Sequence, residues 1–248
     1  MARAAADGHR VVLVVATRGE EGEIDEGFLA DGEALGERRA RETEASAEVL
    51  GARRVAFLGY TDSGMIGKPT NDEPGCFWRA DVEQAAQRLA AILTEEGADV
   101  LTVYDDNGGY GHPDHIQVHR VGVRAAELAG TPEVYEATMN RTEMVRMFEE
   151  LRASGVSLGE GEDGPPDLHE EPDFGVPEER LTHRVDVTRW LPTKRASMRA
   201  HASQISESSF FLAMPDEVFG RAFGVEWFTE RGRPAREGNF TSWFAGLS

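Results

Sequence analysis

The sequence predicts an α/β protein: a Rossmann-like, doubly wound, mostly parallel sheet with helices on its faces. Two observations carry that expectation. Short runs such as "VVLVVA" (11–16) and "ADVLTVY" (98–104) are β-branched and nearly continuous in apolar character, as parallel strands buried on both faces are. Helical patterns lie between such runs, and strand–helix alternation at this spacing is the mark of a doubly wound sheet.

Taken in order, "RVAFLGY" (54–60) and "PEVYEATM" (132–139) are the further strands of the first half. The helical segments are "GEALGERRARETEASAEVLGA", "ADVEQAAQRLAAILTEEGA" and "HPDHIQVHRVGVRAAELAG". Each has apolar residues at three- and four-residue spacing and ends near a glycine suited to a C-cap. Residues 155–178 change to a Gly-, Pro- and acid-rich composition, expected to be a flexible surface insertion and a substrate-selecting lid. Beyond it, "RLTHRVDVTRW" reads as a strand and "PTKRASMRAHASQI" as a helix. The aromatic-rich "EVFGRAFGVEWFTERGRP" is expected to pack back on the body. One domain over 1–248 with a long insertion fits this order, and no internal repeat interrupts it.

Composition narrows the function classes. No apolar run approaches the roughly 20 residues that cross a bilayer, and the start shows no signal-peptide cleavage pattern. The single cysteine, Cys76, excludes an internal disulfide, so a reducing cytoplasm is the expected setting. Twenty-six basic against 45 acidic residues give a net charge of −19. Such a surface repels phosphate backbones and anionic membranes, which disfavours nucleic acid and lipid as partners. A small neutral or cationic substrate remains, as does the plain alternative that the charge serves solubility. The sequence implies no particular oligomeric state.

The chemistry concentrates in "GGYGHPDHIQVH" (108–119), three histidines and an aspartate at the end of a strand. Pro113 suits the first position of a helix, which places His112 at the N-cap and Asp114 and His115 in the first turn. Loops beyond the carboxyl ends of parallel strands are where such sheets hold ligands. A helix N-terminus favours a neutral, metal-binding imidazole, whereas Asp114 favours a charged one that could act as an acid. The bland alternative is a capping His112, an exposed His115 and a packed His119. For His119, four residues after His115, a supporting role is expected.

With these residues in view, the sequence resembles the LmbE/PIG-L-type N-acetylglucosamine deacetylases. "YDDNGGYGHPDH", "TRGEEGE" near residue 20, "DSGM" at 62–65 and "RVDVTRWLPTKRASMRAHASQ" carry the resemblance, which extends over most of the chain. It is strongest to the branch containing the mycothiol-biosynthetic deacetylase and the mycothiol S-conjugate amidase. The resemblance implies zinc as cofactor and hydrolysis of an N-acyl group on a glucosamine-containing small molecule. It assigns His115 as a zinc ligand. His112 would protonate the leaving amine or stabilise the oxyanion, with Asp114 tuning it, and Tyr110 would reach the substrate carbonyl. Arg39, in an Arg-x-x-Glu with Glu42, and Asp62 would bind sugar hydroxyls. His201 and Gln204 would lie near the site, an ordinary polar helix face being the alternative.

One departure matters. The family's other two zinc ligands and its general base come from an upstream His-Pro-Asp-Asp motif, and these 248 residues contain none. The expectation is therefore a chain that lacks the first strand and is impaired as it stands. The alternatives are a non-catalytic sugar-binding or scaffold relative, and an unrelated hydrolase holding a metal with His112, His115 and His119. The residues His112, His115, Tyr110, Arg39 and Asp62 are expected at the mouth of one cleft.

Overall fold

The protein is described from a computed structural model, which covers residues 1–153 and 174–234. In chain order the first half runs α1 (Ala2–Ala6), β1 (Val12–Val15), α2 (Leu35–Val49), β2 (Arg54–Phe57), α3 (Val82–Glu96) and β3 (Val100–Tyr104). A tight turn α4 (Gly108–Gly111), α5 (Pro113–Ala129), β4 (Glu133–Thr138) and α6 (Arg141–Ala153) follow. The last described part holds β5 (His183–Asp186), α7 (Leu191–Ala200), α8 (Phe210–Ala213), α9 (Asp216–Phe223) and β6 (Val225–Glu230). The chain divides into two compact units, one of Met1–Asp81 with Asp186–Val225, the other of Val82–Val185 with Glu226–Ser248.

In the first unit, β1 and β2 pair in parallel, Val12 opposite Arg54 and Val15 opposite Phe57, with α2 as the crossover between them. Parallel neighbours need such a crossover, and β1–α2–β2 supplies it. Both strands are half-buried along their length rather than buried on both faces as expected. The stripe that α2 buries is largely polar: Gly36, Arg39, Glu42, Ser46 and Ala47. Its partner is α7, where the hydroxyls of Ser46 and Ser197 meet at 2.7 Å.

The second unit is built on a four-stranded sheet ordered β3-β4-β6-β5. β3 and β4 are parallel, joined across α5, with Val100 opposite Glu133 and Tyr104 opposite Ala137. β6 runs antiparallel to β4, Tyr135 opposite Glu230 and Thr138 opposite Trp227. Against this sheet α5 lies close, because Gly122 has no side chain and a Cβ there would strike Val103. α3 packs on α5 through alanines and leucines (Ala85, Ala86, Leu89, Ala90 and Leu93), and Arg124 pins the pair by two hydrogen bonds to Glu83. Tyr135, His183, Val185, Trp227 and Phe228 form the core on and around the sheet.

The α/β class holds, with two corrections. The expected single, mostly parallel sheet is, among the described residues, two sheets, one parallel and one mixed. The strand–helix alternation does give the two parallel pairs. The aromatic tail, however, returns as a strand, and its direction after α9 makes it antiparallel to β4. Of the expected insertion 155–178, residues 155–173 lie outside the described residues. Residues 174–178 are not a loose surface segment: Val176 is buried, bridges Asn140, and donates to the Met139 carbonyl at 2.9 Å.

Candidate active site

In the first unit the "TRGEEGE" and "DSGM" segments are locked together by their own acids. Glu20 Oε2 accepts from the Asp62 N–H at 3.1 Å and from the Arg18 N–H at 3.2 Å. Asp62 answers, Oδ2 accepting from the Glu21 N–H at 3.2 Å and Oδ1 from the Gly64 N–H at 2.9 Å. Arg39 reaches this loop from α2, donating to the Gly19 carbonyl at 2.6 Å and the Glu23 carbonyl at 3.1 Å. Its guanidinium is buried, and its Nε makes no hydrogen bond. Burial pushes the Arg39 pKa down, while the carboxylates of Asp62, Glu42 and Glu20 hold it up. Gly22 is the floor of the guanidinium site, since a Cβ there would overlap the Arg39 nitrogens. Arg39 and Asp62 are thus brought together, and both spend much of their hydrogen-bonding capacity on shaping this loop.

Glu42, one turn after Arg39, is buried and accepts from Ser203, from the N–H at 2.9 Å and from the hydroxyl at 2.5 Å. His201 caps the end of α7, with Gln204 Nε2 3.2 Å from its Nδ1. Burial lowers the His201 pKa against the pull of the Glu42 carboxylate, and the Arg39 charge lowers it further. His201 therefore belongs to the Arg39–Glu42 neighbourhood. Glu20 and Ser203 were not legible as members of it. Both stand in ordinary polar segments, and only the chain's return beyond α7 brings Ser203 to Glu42.

In the second unit, Tyr110, His112, Asp114 and His115 gather at the C-terminal end of β3, the expected place. Pro113 opens α5, and His112 is its N-cap, Nδ1 accepting from the Asp114 N–H at 3.1 Å. An N–H can only donate, so His112 Nδ1 carries a lone pair and a neutral ring bears its proton on Nε2. His115 is wired the opposite way. Its Nδ1 lies 3.1 Å from the Gly108 carbonyl, which can only accept, so Nδ1 is protonated and a neutral ring has its lone pair on Nε2. The two rings are 4.8 Å apart between centroids. The exposed Tyr110 ring meets His115 edge-on at 5.2 Å and His112 at 6.1 Å.

The turn that makes this possible needs its glycines. Gly108 has φ +66°, and a Cβ there would come within 2.7 Å of His115 Cβ and of the Ile116 nitrogen. Asp105, at the end of β3, is buried and accepts from the Gly109 N–H at 2.7 Å and from the Thr138 hydroxyl at 2.6 Å. Tyr104 stacks flat on His115, centroids 4.0 Å apart and planes 7° from parallel. Neither Asp105 nor Tyr104 was singled out from the sequence. His119 Nδ1 is 3.0 Å from the Tyr104 carbonyl, with Glu136 at 3.8 Å. Among the described residues no group of three or more His, Cys, Asp or Glu side chains is disposed to hold a metal ion.

The comparisons agree with the motifs that led to these residues. The family described as "PIG-L: GlcNAc-PI de-N-acetylase" matches residues 1–126. A Thermomonospora curvata protein named 1D-myo-inositol 2-acetamido-2-deoxy-alpha-D-glucopyranoside deacetylase is 40% identical over 274 residues, covering 100% of this chain and 90% of its own length. Its namesake from Acidothermus cellulolyticus is 41% identical over 261 residues, covering 100% of this chain and 88% of its own. Among solved structures, the zinc-inhibited form of teicoplanin deacetylase Orf2 aligns with a TM-score of 0.56 over 96% of this chain and 92% of that one, at 14% identity. A conserved Thermus thermophilus protein aligns with a TM-score of 0.54 over 97% and 89%, at 18% identity. At such identities the structures speak for the fold alone. The sequence matches go further: the chain belongs to the PIG-L family of GlcNAc-PI de-N-acetylases.

Proposed function

We propose that this protein is a deacetylase that hydrolyses the acetamide of 1D-myo-inositol 2-acetamido-2-deoxy-α-D-glucopyranoside, in a cytoplasmic setting. The observation that carries the reading is the 40% identity, over the whole chain, to the T. curvata protein of that name. The wiring of the two histidines supports it. Amide hydrolysis needs a donor where negative charge develops on the carbonyl oxygen and a proton for the departing amine. His112, with Nε2–H turned away from its cap bond, and the Tyr110 hydroxyl are such donors. The family resemblance assigns Arg39 and Asp62 to sugar hydroxyls, and their interlocked loops give that task a rigid base.

Zinc in such hydrolases polarises the carbonyl and lowers the pKa of a bound water. The described residues do not fit a complete zinc site. His115 offers one lone pair, and His119 is turned to the Tyr104 carbonyl. The missing ligands and base are those of the His-Pro-Asp-Asp motif, which these residues lack. We infer that the 248 residues alone are impaired.

The test compares the 248-residue chain with one extended upstream by a strand and a His-Pro-Asp-Asp motif. Zinc is measured by elemental analysis and product by amine release from the acetylated inositol glucoside. The extended form is expected to hold stoichiometric zinc and to release amine, and the 248-residue form to do neither. Zinc and turnover in the shorter form would refute the impairment. An extended form that binds zinc yet releases no amine would refute the deacetylase reading.

A further inference from the structure

We propose that Asp105 and Tyr104 are positioning residues for His115, holding its ring in one plane and one tautomer. The functional use of that posture rests on the deacetylase reading above; its existence does not.

The argument follows a chain of bonds. Asp105 is 3% exposed, and a carboxylate so deeply buried must be matched by donors. Both of its oxygens are. Oδ2 takes the Thr138 hydroxyl of β4 at 2.6 Å, and Oδ1 takes the Gly109 N–H at 2.7 Å. Its backbone closes the same turn, with the Asp105 carbonyl accepting from the Gly108 N–H at 2.9 Å. The Gly109 N–H of the Gly108–Gly109 peptide and the Gly108 N–H of the peptide before it are therefore both held, which fixes where the Gly108 carbonyl points. It points at His115 Nδ1, 3.1 Å away. Rotating that carbonyl would remove the acceptor that makes Nδ1–H the favoured tautomer.

A carbonyl fixes only one atom of the ring, leaving the ring free to tilt about it. Tyr104 supplies the second constraint by lying flat on the imidazole at 4.0 Å and 7°. Tyr104 is itself steadied, because its carbonyl accepts from His119 Nδ1 at 3.0 Å. Two constraints of different kinds, an acceptor at one ring atom and a surface against one face, leave Nε2 a single direction. Second partners of this sort set the tautomer and aim of ligand histidines generally. Here the partner is a backbone carbonyl, and the buried Asp105 holds it in place.

The test reads the tautomer directly, without metal or substrate. The 248-residue chain is labelled with 15N-histidine, and His115 is assigned in long-range 1H–15N spectra by its absence from a His115→Gln variant. The unsubstituted chain and Tyr104→Phe, which keeps the stacked ring, are expected to show His115 in one tautomer with the proton on Nδ1. Tyr104→Leu and Asp105→Ala are expected to lose that single pattern and show a tautomer mixture, with circular dichroism still that of a folded protein. Should Asp105→Ala fail to fold, Thr138→Val removes one of the two donors to the same carboxylate and is expected to move the spectrum in the same direction. A single Nδ1–H pattern persisting in folded Tyr104→Leu and in the folded Asp105 or Thr138 variant would overturn the proposal.

Discussion

Gly22→Ala tests whether Arg39 is held by its loop or merely near it. Gly22 has an ordinary backbone conformation, so alanine adds no torsional strain there; what it adds is a methyl group in the space of the Arg39 guanidinium. An arginine tip can swing away cheaply when it faces water. This one is 8% exposed and donates to the Gly19 and Glu23 carbonyls, so moving it breaks one or both bonds inside the protein. Hydrogen bonds from a charged donor contribute about 1.5–3 kcal/mol each. Overpacking adds about 1–3 kcal/mol where neighbours cannot shift. The expected cost is about 2–4 kcal/mol out of a typical total of about 5–15. The assay is urea unfolding followed by tryptophan fluorescence, run as a double-mutant cycle with Arg39→Ala. In the Arg39→Ala background the methyl meets no guanidinium, so Gly22→Ala should cost under about 0.5 kcal/mol, the additivity limit for uncoupled sites. Equal costs in both backgrounds would refute the reasoning, because the methyl would then be acting on something other than Arg39.

Gly108→Ala places a Cβ 2.7 Å from a backbone nitrogen that cannot yield, at φ +66°. The left-handed conformation alone costs about 1–2 kcal/mol, so a clear fall in thermal midpoint is expected, and an unchanged midpoint would contradict the turn. The hydrogen bond from Arg38, with the Ala30 N–H and Arg41 adding to it, holds the Glu33 carboxyl at about 2, below its ordinary 4.5. A lowered carboxyl contributes stability above its unfolded value and loses it as pH falls towards the folded one. Melting temperature should therefore fall between pH 4.5 and about 2 more steeply in the unsubstituted protein than in Glu33→Gln. His112→Asn keeps a good N-cap on α5, whereas His112→Ala loses it at about 0.5–2 kcal/mol. Both should abolish amine release in the zinc-competent, extended form, and full activity in His112→Asn would reduce His112 to a cap.

How much of this was legible depends on how far each cause acts along the chain. The cap at His112 and the start of α5 were readable, because proline and the N-cap act within two residues of one another. The two parallel pairs were readable from strand–helix alternation. α6 was missed although Met144, Val145, Phe148 and Leu151 carry a helical spacing that could have found it. β6 is hidden for a different reason: "VEWFTE" reads as a packing tail, and its pairing between β4 and β5 makes it a strand. On α2 the residues Arg39, Glu42 and Ser46 look like a solvated face. They are buried because Gly19, Glu23, Ser197 and Ser203 bring partners from other parts of the chain. Sequence periodicity records where apolar residues fall and is silent about polar groups matched at long range.

The same limit applies to the histidines, and there it separates two roles that residue type leaves equal. His112 and His115 are alike in chemistry and three positions apart, yet the backbone gives them opposite tautomers. One faces an amide N–H, which takes its Nδ1 lone pair and leaves Nε2 to carry the proton. The other faces a carbonyl, which takes its Nδ1 proton and leaves the Nε2 lone pair. On the proposed deacetylase reading, the first would be the donor for a developing oxyanion and the second the lone pair for an electrophile. Both assignments come from one turn: Gly108 turns its carbonyl inward, and Pro113 starts the helix whose second residue, Asp114, donates its N–H to His112. Exchanging the two tautomers would require moving the backbone, so the difference between the rings belongs to the "GGYGHPDH" turn and not to either histidine alone.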